Sequence, residues 1–204
     1  MDAALRAGIA IHNAGHYHAA HDAWEERWLD LDDGTDDERF LHGLIQCTAA
    51  VYHARNRNWD GATGLAESAL DYLDGLSEPY RGVALDPVRA YLGTLATDTE
   101  LIDRREPPLL THDGTALALS DLDVDAAFAA AEVLAEESEQ YDERVLENGI
   151  EYAREELGDA ETTFLTLVID FVGDPENRGI IHQRLSEHVE RRKHRERDVD
   201  GLFE

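Results

Sequence analysis

Cysteine, lysine and methionine are almost missing from this chain. The one cysteine, Cys47, excludes an internal disulfide and any zinc site built mainly from thiolates. It stands in an apolar helical run, where a small buried thiol is the expected role. Lys193 is the only lysine, so the positive charge is nearly all arginine, and 18 basic residues face 45 acidic ones for a net charge of −27. The acid is spread along the whole length and would repel nucleic-acid phosphates, which excludes nucleic acid as an expected partner. Self-repulsion of this size suits a strongly screening medium. The expectation is a cytoplasmic protein of a salt-rich, halophilic microbe. Long apolar runs are lacking too. The longest, FLTLVIDFV at 164–172, carries Asp170 and is too short to cross a bilayer, so no membrane role is expected. The amino terminus begins acidic, with no charged stretch leading into an apolar block, and predicts no signal peptide.

What is present is a hydrophobic fraction of 43% over 204 residues, enough for a real core. Its periodicity is helical. A short helix over about 3–13 stops at Asn13-Ala14-Gly15, and a second runs over about 17–30 to the turn at Gly34. A third, capped by Asp36 or Asp37, reaches about residue 57. A fourth, from Asp60 to about Leu76, shows Leu65, Ala69, Leu73 and Leu76 at helical spacing and is broken by Ser77, Pro79 and Gly82. Asp86-Pro87 opens a fifth, to about Leu95. Residues 101–123 read as a linker or β-hairpin, with two short strands around Asp113-Gly114 after the rigid Pro107-Pro108. Beyond them come one long Ala/Glu-rich helix over about 124–157, kinked near Asn148-Gly149, then a short apolar helix over about 160–172 and a last one to about 196. The expected fold is all-α. It is an up-and-down helical bundle with a five-helix domain over 1–100, the hairpin or linker, and a three-helix extension over 124–204. Alanine-rich faces and the apolar helix make a homodimer the expected assembly.

The last helix holds Arg191-Arg192-Lys193-His194-Arg195. Cations at a helix C-terminus complement its dipole and the surrounding acid, which accounts for the run without nucleic acid. His182, His188 and His194 are six apart and fall on different faces, so they do not form a ligand set.

The chemically capable residues gather between 12 and 53, where His12, His16, His18, His21, His42 and His53 lie. A helix turns about 100° per residue, so Tyr17, His21, Trp24, Glu25 and Trp28 share one stripe. The aromatics assign that stripe to the core. His21 and Glu25 then need partners, because burying them alone would cost a few kcal/mol. Folding the second and third helices antiparallel about Gly34 sets Glu25 against Gly43, His21 against Cys47 and Tyr17 against Val51. Gln46 falls between His21 and Glu25, Arg39 one turn beyond, and His42 and His53 within reach. Three readings are open. His21, Glu25 and a third group from His53, His42 or Gln46 bind a divalent metal such as zinc, iron or manganese, with a position left for activating water. Alternatively, His21 and Glu25 are a metal-free acid–base pair in a small-molecule pocket lined by Tyr17, Trp28, Arg39 and Gln46. Or Arg39, Glu25, Gln46 and His21 form a satisfied polar network in a non-catalytic scaffold or interaction protein.

The run Asn13-Ala14-Gly15, Tyr17, Ala20-His21-Asp22, Trp24-Glu25, Trp28, Arg39-Phe40, Gly43-Leu44-Ile45-Gln46, Tyr52-His53 and Gly61-Ala62 resembles the prokaryotic family called domain of unknown function 309, over about residues 5–75. Its hallmark is histidine, three residues, glutamate, two residues and an aromatic, here His21, Glu25 and Trp28. The resemblance implies an all-helical fold and a suggested metal-binding motif without an established activity. It carries that suggestion to His21 and Glu25, and further to Gln46 and His53. Ala19 departs from the family, which often has glutamate there, and the loss of that carboxylate favours the structural reading. Residues beyond about 100 lie outside the resemblance.

Overall fold

The architecture comes from a computed structural model, which describes residues 2–158 and 162–200. The chain forms two compact units, Met1–Leu122 and Asp123–Glu204. The fold is all-α, with ten α-helices and one two-stranded sheet among the described residues.

In the first unit the helices are α1 (Asp2–Asn13), α2 (Tyr17–Leu29), α3 (Asp36–Arg55), α4 (Trp59–Leu73), α5 (Asp86–Leu95) and the single turn α6 (Leu101–Arg104). The centre is α3, which packs against α2 on one side and α4 on the other, while α1 lies on α2 and α5 on α4. Its sequence explains that position, since Phe40, Leu41, Leu44, Ile45, Cys47, Ala50 and Val51 bury more than one stripe. The expected caps at Asp36 or Asp37 are replaced by Thr35, whose hydroxyl accepts from the Glu38 amide at 3.2 Å. Asp37 instead receives the Tyr80 hydroxyl and the Arg81 guanidinium. Asn58 caps α4 by accepting from Gly61 N–H, and α4 ends at Leu73, short of Leu76.

Two glycines set the helix spacing. A Cβ on Gly8 would lie 2.1 Å from Nε1 of Trp24, and one on Gly43 would lie 2.6 Å from the Leu73 side chain. The Trp24 indole therefore fills the space over Gly8 and donates to the Leu5 carbonyl at 3.3 Å, and α3 meets α4 closely at Gly43. The strands β1 (Thr111–His112) and β2 (Thr115–Ala116) pair antiparallel, Thr111 with Ala116 and His112 with Thr115. Between them Asp113 and Gly114 both take positive φ, the turn that an Asp-Gly pair favours. Asn13, at the end of α1, holds the hairpin's base. Its amide donates to the carbonyls of Leu110 and Leu117, and its oxygen accepts from Leu110 N–H.

The second unit differs from the expected three helices. It has four: α7 (Val124–Glu136), α8 (Glu143–Glu155), α9 (Thr163–Gly173) and α10 (Arg178–Asp200). The single long helix over 124–157 is broken between Glu137 and Asp142. There Asp142 caps a new helix by accepting from Arg144 N–H, and its own N–H reaches Nε2 of His182 on α10. Helix α8 runs without a break through Asn148-Gly149, where a Cβ on Gly149 would lie 2.9 Å from the methyls of Leu185. No helix among the described residues is long and apolar enough to cross a membrane.

Candidate functional site

Two turns of α2 gather His18, His21, Asp22 and Glu25. Asp22 joins two imidazoles, with Oδ1 2.9 Å from Nδ1 of His21 and Oδ2 3.0 Å from Nδ1 of His18. Both rings are thus oriented through Nδ1, which turns the Nε2 edges to other partners. Ligand atoms of His21, Asp22 and Glu25 lie within 4.8 Å of one another. The group sits at the rim of the α2–α3 pair, where the His21 side chain is 31% exposed and that of Asp22 27%. The His18 ring lies 5.9 Å from the Tyr52 ring on α3. One imidazole nitrogen and two carboxylate oxygens form a donor set that fits zinc, iron or manganese.

The stripe expected to be dry divides. Tyr17 and Trp24 are buried, whereas His21 and Glu25 are partly exposed. The cause is the destination of Trp24. Its indole goes to α1 over Gly8, which rotates the apolar face of α2 toward α1 and carries His21 and Glu25 out to the rim. Across the pair with α3, Trp28 meets His42 and His18 meets Tyr52, while the Gly43 face is met by Leu73 of α4. Arg39 turns away from Glu25, donating to the Asp74 carbonyl and lying 3.6 Å from Asp36. Gln46 is half-buried and makes no hydrogen bond to His21 or Glu25 among the described residues. His53 stands at the α3–α4 junction, its Nδ1 2.7 Å from the Asn58 amide. Asp22, which a stripe argument passes over, is the residue that His21 meets.

A satisfied polar network does exist on α3, built from other residues. Glu38 accepts from Nε1 of Trp28 at 2.8 Å and from Gly34 N–H at 3.3 Å, and its Oε1 lies 3.2 Å from Nδ1 of His42. The His42 ring stacks on Tyr72 at 3.8 Å and packs on Trp28 at 4.4 Å. Burial works to raise the Glu38 pKa, but the hydrogen bonds from Trp28, His42 and Gly34 outweigh it and hold the carboxyl below its usual range. The available signal was Thr35-x-x-Glu38, a capping-box spacing that turns the glutamate back over the helix start.

With that geometry in place, the sequence can be set against known families. Residues 5–65 match the family model described as Domain of unknown function (DUF309). This N-terminal segment is similar to the DUF309 family. No curated protein matches the chain. The matched DUF309 segment runs from α1 into α4, so it contains His18, His21, Asp22, Glu25, Glu38 and His42 and ends before Tyr72.

At the opposite end of α3 from Glu38, Tyr17 of the matched segment accepts from Arg55 at 3.4 Å, and Arg55 also donates to Glu106. Burial raises the Tyr17 phenol, against the pull of Arg55. His12 packs edge-on against Tyr17 at 5.1 Å. Burial pushes its pKa down to about 4, opposed by a hydrogen bond to the Pro108 backbone, and Nδ1 has no partner. Cys47 is driven up to about 12 by burial, which removes it as a nucleophile at neutral pH.

Proposed function

We propose that the DUF309-like segment binds one divalent transition-metal ion through the His21 imidazole and the carboxylates of Asp22 and Glu25, as an accessible centre for hydrolysis of a small substrate. The observation that carries this reading is the convergence of three donor atoms within 4.8 Å on one turn of α2. A structural zinc site is closed by four ligands, whereas three side chains at a rim leave room for water and substrate. When bound, such an ion would supply Lewis acidity and lower the pKa of water. The chain's own contribution is orientation. Asp22 orients the His21 and His18 rings through Nδ1, which leaves Nε2 of His21 and the remaining carboxylate lone pairs of Asp22 for the ion. Glu25 closes the set from one turn along. The competing role, a buried network that sets helix register, is filled by Glu38 and His42 and does not call on His21 or Glu25.

The test is elemental analysis of untagged protein purified without chelator, followed by titration of metal-free protein with zinc and manganese. About one equivalent of ion is expected, lost in His21→Ala and Glu25→Gln. These are rim positions, so metal-free stability should stay within about 0.5 kcal/mol of the parent. A parent protein that carries no ion and gives no heat with either metal would refute the reading. So would variants that bind as the parent does.

A further inference from the structure

The C-terminal half of α10 concentrates the positive charge of an acidic chain, with four arginines and a lysine between residues 191 and 197. The helix divides them into two lines. Arg192 bonds Glu155 of α8 and Glu196 of its own helix and lies over the Tyr152 ring, so its charge is paired. His188, Arg191 and Arg195 lie three and four residues apart on a neighbouring line. Together with Phe164 and Thr163 at the start of α9 they border a groove of about 720 Å³. The rings of Phe164 and His188 are 6.1 Å apart. Arg191 donates through Nε to the Glu187 carbonyl of its own helix. Neither Arg191 nor Arg195 has an ion pair among the described residues.

Two carboxylates also line the groove. Glu156 is committed, because its Oε2 accepts from the N–H groups of Phe164 and Leu165 and so caps α9. Glu190 is exposed at the edge. The guanidinium groups of Arg191, Arg192 and Arg195 and the imidazoles of His188 and His194 line it beside the Phe164 ring, with Nε2 of His194 3.6 Å from Asp198. The volume is that of a small-molecule site. Carboxylates beyond about 8 Å are largely screened at physiological ionic strength, while Glu187, Glu196 and Asp198 of the same helix lie close by.

We propose that the groove between the start of α9 and the C-terminal half of α10 binds a small phosphate-bearing anion, held by the unpaired guanidinium groups of Arg191 and Arg195 with His188 beside them. Guanidinium forks match phosphate oxygens and favour such ligands over neutral ones. The imidazole of His188 reports occupancy. Its pKa is lowered by burial and by Arg191 and Arg195, against the opposite pull of Glu187 and Glu156, so an anion added between the arginines must raise it. This site is separate from the α2 cluster and does not depend on the metal reading.

The experiment titrates the full chain with inorganic pyrophosphate by calorimetry and follows the His188 ring by NMR across pH. The expected result is saturable binding with an upward shift of the His188 pKa. Arg191→Gln and Arg195→Gln should each weaken binding by roughly tenfold or more, as expected for losing a charge-assisted hydrogen bond. Arg184→Gln, on the same helix but outside the groove, should leave it unchanged. Three outcomes would overturn the proposal: no heat at millimolar pyrophosphate with an unmoved His188, binding that survives the double arginine variant, or binding of a DNA duplex but not of pyrophosphate.

Discussion

Replacing Gly8 with alanine should damage the first unit, against the usual effect of that exchange inside a helix. Glycine in a helix interior is about 0.8–1.0 kcal/mol worse than alanine, so an unobstructed site gains roughly that much. At Gly8 the new methyl would lie 2.1, 2.3 and 2.7 Å from three atoms of the Trp24 indole, far inside contact distance. The indole is rigid and fully buried, so it cannot yield at its far end. Either α1 lifts from α2 or the ring leaves its slot, losing the hydrogen bond to Leu5. Overpacking of this kind costs about 1–3 kcal/mol and the hydrogen bond about 1 more. After the propensity gain the net loss is about 1–3 kcal/mol, several degrees in Tm for a unit of this size. The assay is urea unfolding followed by circular dichroism at fixed salt. Gly64→Ala and Gly93→Ala are internal controls, since nothing lies within 4 Å of a Cβ at either position. Both should be stabilising by up to about 1 kcal/mol. A Gly8→Ala protein as stable as the parent would refute the account of how α2 is oriented, and with it the reason His21 and Glu25 reach the rim.

Two further predictions concern pH. His12 is buried uncharged with its pKa pushed down to about 4, while the unfolded chain takes up that proton below about 6.5. The unfolded state therefore binds more protons in that interval, and stability should fall by up to ~3 kcal/mol as pH drops from about 6.5 to 4. His12→Gln should flatten that part of a stability–pH curve measured by denaturant unfolding, and an unchanged slope would count against the assignment. Glu38 has the opposite origin but the same sign. Its carboxyl is held below the usual range, so its contribution is present above about pH 4.5 and lost as pH falls through the lowered value. Glu38→Gln should cost about 1–2 kcal/mol at pH 7 and remove the acid-side loss, as read by thermal unfolding at pH 7 and pH 3.5.

Much of the fold could be read from local chemistry. Asn13-Ala14-Gly15, Gly34, Ser77-Pro79 and Asp86-Pro87 punctuate the first five helices close to where they begin and end, because turn and cap preferences act within a few residues. Asp113-Gly114 located the hairpin for the same reason. The break after Glu136 was hidden. Glu137, Glu139 and Gln140 are good helix formers, and only Asp142 signals a new start. The turn after α7 is held locally by Ser138, whose Oγ accepts from Gln140 N–H, and the start of α8 is fixed from outside, since the N–H of Asp142 is met by His182 from α10. Gly149 misled in the opposite sense, as a contact for Leu185 and a kink present the same residue to a reader of one chain.

The candidate site shows the same division at finer scale. The i, i+4 spacing of His21 and Glu25 states that they share a face, and that is geometry internal to one helix. Whether the face is wet depends on the rotation of α2, which is decided by a glycine on α1 that admits Trp24. The small residues of α3 were equally ambiguous, since Gly43 could have received α2 or α4, and Leu73 takes it. Once α2 turns toward α1, the polar role between α2 and α3 moves to the first turn of α3, where Glu38 meets Trp28 and Gly34. It also brings Asp22, one residue from His21 and therefore about 100° off the stripe, onto the same rim. A carboxylate excluded by the stripe argument thus becomes the partner of two histidines. The proximity of His21, Asp22 and Glu25 is set within α2 itself, and helix packing decides only that the group stands at the rim.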